Sequence, residues 1–200
     1  MLKVVKIGGN VVDNSEKLDR FLQDFASLEG PKVLVHGGGK IATTIGKALG
    51  IETQMIGGRR VTDAETLKVV TMVYAGLINK TIVAKLRTAG CNAVGLCGAD
   101  GGLIVSRRRN PKPVDYGFVG DPELERFGTA TAKTLIDAGY TLVVAPITVD
   151  GAGGRPRQNG SAPTAACSIR TPIRWPVRWP SGCPGRSRPN WSIVSRNGAC

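Results

Sequence analysis

The hydrophobic pattern changes character about three-quarters of the way along the chain. Up to residue 154, short apolar runs alternate with stretches of helical spacing. Leu2 to Ile7 is a short apolar strand ending in Gly8-Gly9. From Ser15 to Leu28, Leu18, Phe21, Leu22 and Phe25 fall on one stripe, the repeat of an amphipathic helix, and Gly30-Pro31 stops it. Lys32 to His36 reads as a buried strand that runs into Gly37-Gly38-Gly39. Ile41 to Leu49 is a helix closed by Gly50. Thr62 to Tyr74 opens with a capping box, Thr62 as cap and Glu65 as its partner, and Leu77 to Ala89 continues helical as far as Gly90. Ala93 to Cys97 and Leu103 to Ser106 read as strands, and Val114 to Val119 as part of a hairpin. Ala130 to Ala138 is a helix and Thr141 to Ala145 another apolar strand. Short apolar strands separated by amphipathic helices predict an α/β three-layer sandwich, with a central, mostly parallel sheet between helices and right-handed crossovers.

Residues 155–200 do not follow this pattern. Pro172, Pro176, Pro180 and Pro184 recur every four residues, which forbids a helix. Seven of the twelve prolines and all three tryptophans (Trp175, Trp179, Trp191) lie here, and apolar periodicity is absent. The sequence thus divides into a folded part, 1–154, and an Arg/Pro/Trp-rich tail, 155–200. An irregular basic tail is one reading. A proline-rich recognition segment is another, although no ligand pattern for an aromatic groove is clear.

Charge sharpens that division. The formal net charge of +12 would suggest a polyanionic partner. The tail, however, carries eight arginines with no lysine and no acid, so it holds +8 and the other residues only +4. Tryptophan and arginine interleave there and could stack on bases, but the basicity belongs to one segment, and nucleic acid is not the expected partner. Five cysteines without a CxxC pair, and a single histidine, argue against a zinc site and a disulfide framework. No metal site is therefore expected, and Cys91 and Cys97 read as buried small hydrophobes. No apolar run reaches the length of a membrane span. The opening residues are too short and too quickly glycine-rich for a signal peptide, which points to a cytoplasmic protein.

Three glycine-rich segments carry candidate chemistry. In Lys6-Ile7-Gly8-Gly9-Asn10, glycines at a strand end let backbone amides approach phosphate oxygens, and the lysine can neutralise a migrating phosphoryl group. In His36-Gly37-Gly38-Gly39-Lys40, glycines lead into a helix and offer amides and a helix dipole to an anion. This segment is not a Walker A loop, because Leu34 stands where the first glycine is required and no Ser or Thr follows Lys40. His36 reads as a hydrogen-bonding residue at the strand end rather than a catalytic base. In Gly57-Gly58-Arg59-Arg60-Val61-Thr62, an arginine near a helix start can grip a carboxylate with a bidentate fork. Alone, each has a plainer explanation: a strand-to-turn junction, a tight turn, two solvated arginines.

Together, in identity, order and spacing, these motifs resemble the N-acetylglutamate kinases of the amino acid kinase family. Asn79-Lys80, Ala93 to Gly101, Val119-Gly120 and Val144-Ala145-Pro146-Ile147 extend the resemblance over about residues 1–154. It implies an enzyme that transfers the γ-phosphoryl group of ATP, with Mg²⁺, to the side-chain carboxylate of N-acetyl-L-glutamate in arginine biosynthesis, and an intact family member that is a homo-oligomer. By that resemblance Lys6 is catalytic and bridges phosphoryl oxygens. Gly8 and Gly9 give amides to the ATP phosphates, Gly38 and Gly39 bind substrate near its reacting carboxylate, and Arg60 holds the α-carboxylate. N-succinylglutamate or a carrier-bound aminoadipate would suit the same chemistry, and a non-catalytic acylglutamate-binding fragment is a further reading.

The departures from the family are as informative. Its Asn-x-Asn-Ala-Asp motif is missing, since Asn159 lies near the expected place without the surrounding pattern. The nucleotide lobe with its second lysine is missing too, so the chain reads as truncated, with impaired activity expected. The tail has its own explanation. When the third base of each codon is joined to the first two of the next, Ser168 to Pro176 permits Asp-Thr-Asp-Ala-Asp-Thr-Leu-Ala, or Asn at the first and third places. In the same frame, Asn190 to Cys200 permits a strand-like Leu-Val-Tyr-Cys-Phe-Glu-Lys-Arg-Gly-Val. Both resemble family segments and come in the family's order, so the tail is expected to be a frameshift product.

Overall fold

Val33, Leu34 and Val35 set the centre of the fold. Strand β2 (Lys32–His36) is buried at every position, which requires neighbours on both edges and cover on both faces. The computed structural model describes residues 2–151 and the backbone of Ser192–Ser195. In it β2 pairs in parallel with β1 (Lys3–Ile7) on one side and with β8 (Thr141–Val144) on the other. Beyond β8 lies β5 (Ala93–Leu96), and beyond β1 lies β10 (Ser192–Ser195), giving the order β10-β1-β2-β8-β5, parallel throughout. Apart from that backbone segment, the expectations for residues 155–200, including Asn159 and the altered reading frame, lie outside the described residues.

Strand alternation sorts the core into two layers. Val5, Ile7, Leu34 and Val143 pack under one set of helices. These are α1 (Gly9–Val12), α2 (Ser15–Ala26), α3 (Ile41–Ala48), α4 (Ala64–Val70) and α5 (Asn79–Thr88). Val33, Val35, Leu142 and Val144 face the opposite way and meet Leu103, Ile104, Phe127 and Ala132, the last on α6 (Thr129–Asp137). Each fully buried aliphatic side chain contributes roughly 1.5–3 kcal/mol. Helices on both faces of a parallel sheet are the three-layer α/β arrangement the alternation predicts.

Four local expectations need correction. Asp63, not Thr62, caps α4: its carboxylate accepts from Thr66 N at 2.7 Å, while Thr62 N donates to Tyr116 O at 2.9 Å in an isolated bridge to Gly117. The hairpin near residue 114 is made instead by β6 (Val105–Arg108) and β7 (Gly120–Pro122), and β6 also pairs in parallel with β9 (Val149–Asp150). Gly57 and Gly58, at φ +56° and +70°, turn a small hairpin of β3 (Met55–Ile56) and β4 (Arg59–Arg60). Two glycines at positive φ are the chemistry of a tight hairpin, so Arg60 stands on a strand. Finally, α4, a π-helical segment (Thr71–Ile78) and α5 run as one helix, Ala64–Thr88, which by length and composition is long and apolar enough to cross a membrane. Its Val69, Val70, Ile78, Ile82 and Leu86 are buried in the first core layer, which accounts for much of that apolarity.

A buried polar network ties the helical layer to the sheet. His36 is 1 % exposed. Its Nδ1 lies 2.9 Å from Gly37 O, and its Nε2 lies 3.2 Å from Asn79 Nδ2, which also donates to Val143 O at 3.0 Å. Lys80 Nζ completes the set on Asn79 Oδ1 and Gly95 O. An amide cannot accept through nitrogen, so Nε2 is the acceptor and Nδ1 carries the proton. Burial drives the His36 pKa down from 6.5 to about 4, against the opposing pull of the bond to Gly37. The folded value lies below the unfolded one. The stabilisation is therefore complete above pH 6.5 and is lost as pH falls toward about 4, at about 1.4 kcal/mol per pH unit in that window. Urea denaturation across that window should show the intact protein losing stability more steeply than His36→Gln. Equal slopes would refute a neutral buried imidazole.

Candidate functional site

The carboxyl ends of β1 and β2 emerge side by side, and both are followed by glycine. Gly37 N donates to Ile7 O at 3.0 Å, drawing the two loops together. A Cβ on Gly9 would stand 2.7 Å from Gly39 Cα, so the loops touch backbone to backbone and a side chain at position 9 would part them. The carboxyl edge of a parallel sheet is where such folds bind ligands.

Three side chains surround this contact. Asp13, just beyond α1, accepts from Lys40 N through both oxygens, at 2.8 and 2.9 Å. It lies where a Cβ on Gly39 would sit, and Gly39 has φ +57°. A protein carboxylate thus takes the amide of Lys40, the residue that caps α3, in the segment the sequence offers as an anion site. Tyr74, on the π segment, lies where a Cβ on Gly38 would sit. Burial pushes its hydroxyl pKa up, while the nearby Arg60 guanidinium, hydrogen-bonded to it, pulls the other way. Arg60 also donates from Nη1 to Thr53 Oγ1 at 2.8 Å and from Nη2 to Thr43 Oγ1 at 2.7 Å. Three hydroxyls therefore aim a guanidinium that has N–H groups left for an anion.

Gly9, Gly38, Gly39 and Arg60 accordingly belong to one chain of contacts, linked by Asp13 and Tyr74. Gly8 precedes α1 at the same edge in an extended conformation (φ −85°, ψ 172°), and among the described residues nothing beyond its chain neighbours lies within 4 Å of where a Cβ would be. Lys6 pairs with Val35 in the sheet ladder, and alternation sets it on the face of Val4 and Val35, opposite Val5 and Ile7. His36 pairs with Ile7, on the face opposite Lys6, as a neutral hydrogen-bonded group. Among the described residues, no group of three His, Cys, Asp or Glu side chains comes together to hold a metal ion. Cys91 and Cys97 are free and buried. Asp13, Thr43, Thr53 and Tyr74 carried no signal in the sequence, because nothing in local spacing joins them.

A family model described as the amino acid kinase family matches residues 1–169, running past the break at residue 154. Over 153 residues the chain is 58 % identical to an acetylglutamate kinase of Cytophaga hutchinsonii, covering 76 % of this chain and 57 % of that protein. It is 55 % identical over 152 residues to an acetylglutamate kinase of Bacteroides fragilis, covering 76 % and 58 %. The chain thus spans less than two thirds of the length of these curated relatives. Among solved structures, N-acetylglutamate synthase from Neisseria gonorrhoeae, in complex with coenzyme A and N-acetyl-glutamate, matches with a TM-score of 0.59. The identity is 22 %, over 74 % of this chain and 34 % of that one, a likeness of fold.

Two glycines at this edge separate a structural demand from an open position. Gly39→Ala meets positive φ and the Asp13 carboxylate, and should lower stability by about 1–3 kcal/mol. Gly8→Ala, with free space, should change it by less than about 0.5 kcal/mol. Urea melts of both variants check this, and equal losses would contradict the loop contact described.

Proposed function

Because the chain belongs to the amino acid kinase family, we propose that it carries the acylglutamate-binding lobe of a phosphotransferase that moves the γ-phosphoryl group of ATP to the side-chain carboxylate of N-acetyl-L-glutamate. The carrying observation is Arg60, held by Thr43, Thr53 and Tyr74 beside the Gly38-Gly39 loop. A fixed fork suits the α-carboxylate of an amino acid. In support, two relatives more than half identical over the shared region are acetylglutamate kinases.

In this reading Gly38 and Gly39 line the substrate near its reacting carboxylate. Gly8 and Gly9 offer amides to the ATP phosphates from the start of α1, where helical N–H groups lack intrahelical acceptors, and the open space at Gly8 leaves room for them. Lys6 bridges phosphoryl oxygens in the transition state. The attacking carboxylate is ionised at neutral pH and needs no general base, so positioning and charge neutralisation are the protein's work. Mg²⁺ arrives on the nucleotide phosphates.

A second reading, a binding fragment without turnover, is favoured by the missing Asn-x-Asn-Ala-Asp motif. Residues 155–200 belong in that account as a frameshift product, which sequencing of the gene across codons 148–200 tests directly. Calorimetric titration with N-acetyl-L-glutamate should show binding, and Arg60→Gln should weaken it about 10–100-fold, the loss of a charge-assisted pair. Unchanged affinity in the variant would defeat the assignment. In a coupled ADP assay the chain as it stands should be inactive and a frame-corrected chain active. Absence of turnover by the corrected chain with both acetylated and succinylated glutamate rules out the kinase reading.

A further inference from the structure

Arg59 and Arg60 are successive residues of β4, and a strand sends successive side chains to opposite faces. Arg60 serves the site above. Arg59 lies on the other side, its guanidinium 6.0 Å from the centroid of the Tyr116 ring. There an open cavity, of about 280 Å³, is lined by Arg59, Arg109, Lys112, Tyr116 and Asp121 among others. Arg109 donates from Nε and Nη2 to Asp121 Oδ1, the first at 3.0 Å. Three cations less one carboxylate leave the lining a formal charge of +2.

The walls of this cavity are built in. Thr62 fixes the far wall, donating to Tyr116 O at 2.9 Å and accepting from Phe118 N at 2.7 Å. Arg109 N donates to Val119 O at 2.8 Å, and Asp115, paired with Arg108, accepts from Gly117 N at 2.8 Å. The near wall is the β3–β4 hairpin. The volume lies below the roughly 300–1,000 Å³ of pockets for drug-sized ligands and equals that of about nine liquid waters at ~30 Å³ each. It suits a phosphate or a short dicarboxylate with a little water, not a nucleotide.

We propose that this cavity is a second anion site, for a compact oxyanion carrying two negative charges. We propose further that its occupant pins the hairpin through Arg59 and so strengthens acylglutamate binding at Arg60. The coupling rests on the reading of Arg60 given above; the anion site does not. An occupant bridging Arg59 to Lys112 and Arg109 joins the hairpin to the wall that Thr62 holds. The hairpin is then fixed in the position where Arg60 meets Thr43, Thr53 and Tyr74, and linkage makes the benefit mutual.

The test is residue-resolved NMR of the full chain at low ionic strength, titrated separately with inorganic phosphate and succinate. Saturable shifts at Arg59, Lys112 and Tyr116 are expected with at least one probe, and the tighter of the two identifies the ligand as phosphoryl or dicarboxylate. Signals of Gly8 and Gly9 report phosphate at the other site. The exposed double variant Arg59→Gln/Lys112→Gln should weaken the cavity shifts about tenfold or more, whereas Arg60→Gln should leave them within about twofold. Linear shifts with both probes, or shifts unaffected by the double variant, overturn the site. With the better probe saturating, N-acetyl-L-glutamate affinity should rise about 3–10-fold, and this gain should vanish in the double variant; no gain overturns the coupling. Failure of N-acetyl-L-glutamate to bind at all, with the anion site intact, defeats the functional reading and leaves the second site standing.

Discussion

The backbone contact between Gly9 and Gly39 is the constraint on which the rest of the site depends. Parallel pairing sets the strand ends about a sheet spacing apart, and Gly37 N on Ile7 O carries the approach one step past the ladder. Only residues without a Cβ fit at positions 9 and 39, where the loops meet. With the loops in contact, α1 delivers Asp13 to the Lys40 amide just ahead of α3, and Tyr74 from the long helix reaches over Gly38. Arg60 is positioned last, by groups that are themselves positioned by this contact.

The electrostatics at this edge follow from which charges the fold satisfies internally. Asp13 spends its carboxylate on Lys40 N. His36 is kept neutral by burial. Each removes a charge or an open helix end that would compete for an anion. Arg60, by contrast, is held among the described residues by neutral hydroxyls, so its positive charge is oriented without being cancelled.

Much of the fold was legible because the deciding signals are local. Lys32-Val33-Leu34-Val35-His36 is apolar at each interior position, and Leu18, Leu22 and Phe25 repeat at helical spacing, so strand and helix follow from neighbours in sequence. The resemblance singled out Gly38, Gly39 and Arg60 by order and spacing, and the structure links them through Tyr74 and Asp13. What stayed hidden depends on distance in the chain. Thr62 looks like a cap until its backbone is claimed by Tyr116 and Phe118. Asp13 has meaning only beside Lys40, and Tyr74 only beside Gly38 and Arg60. The Gly57-Gly58 pair was a local turn signal for the hairpin that carries the two arginines.

The sheet also divides the proposed chemistry between its faces. Tyr74 and Arg60 stand with the layer built by Val5, Ile7 and Leu34, while Lys6 shares the row of Val4 and Val35 on the other side. In the proposed reaction the carboxylate is then fixed from one face and phosphoryl charge is met from the other, with glycine amides at the tip between them. Such a layout keeps the two cations apart, so that neither guanidinium nor ammonium weakens the other's hold on its own anion.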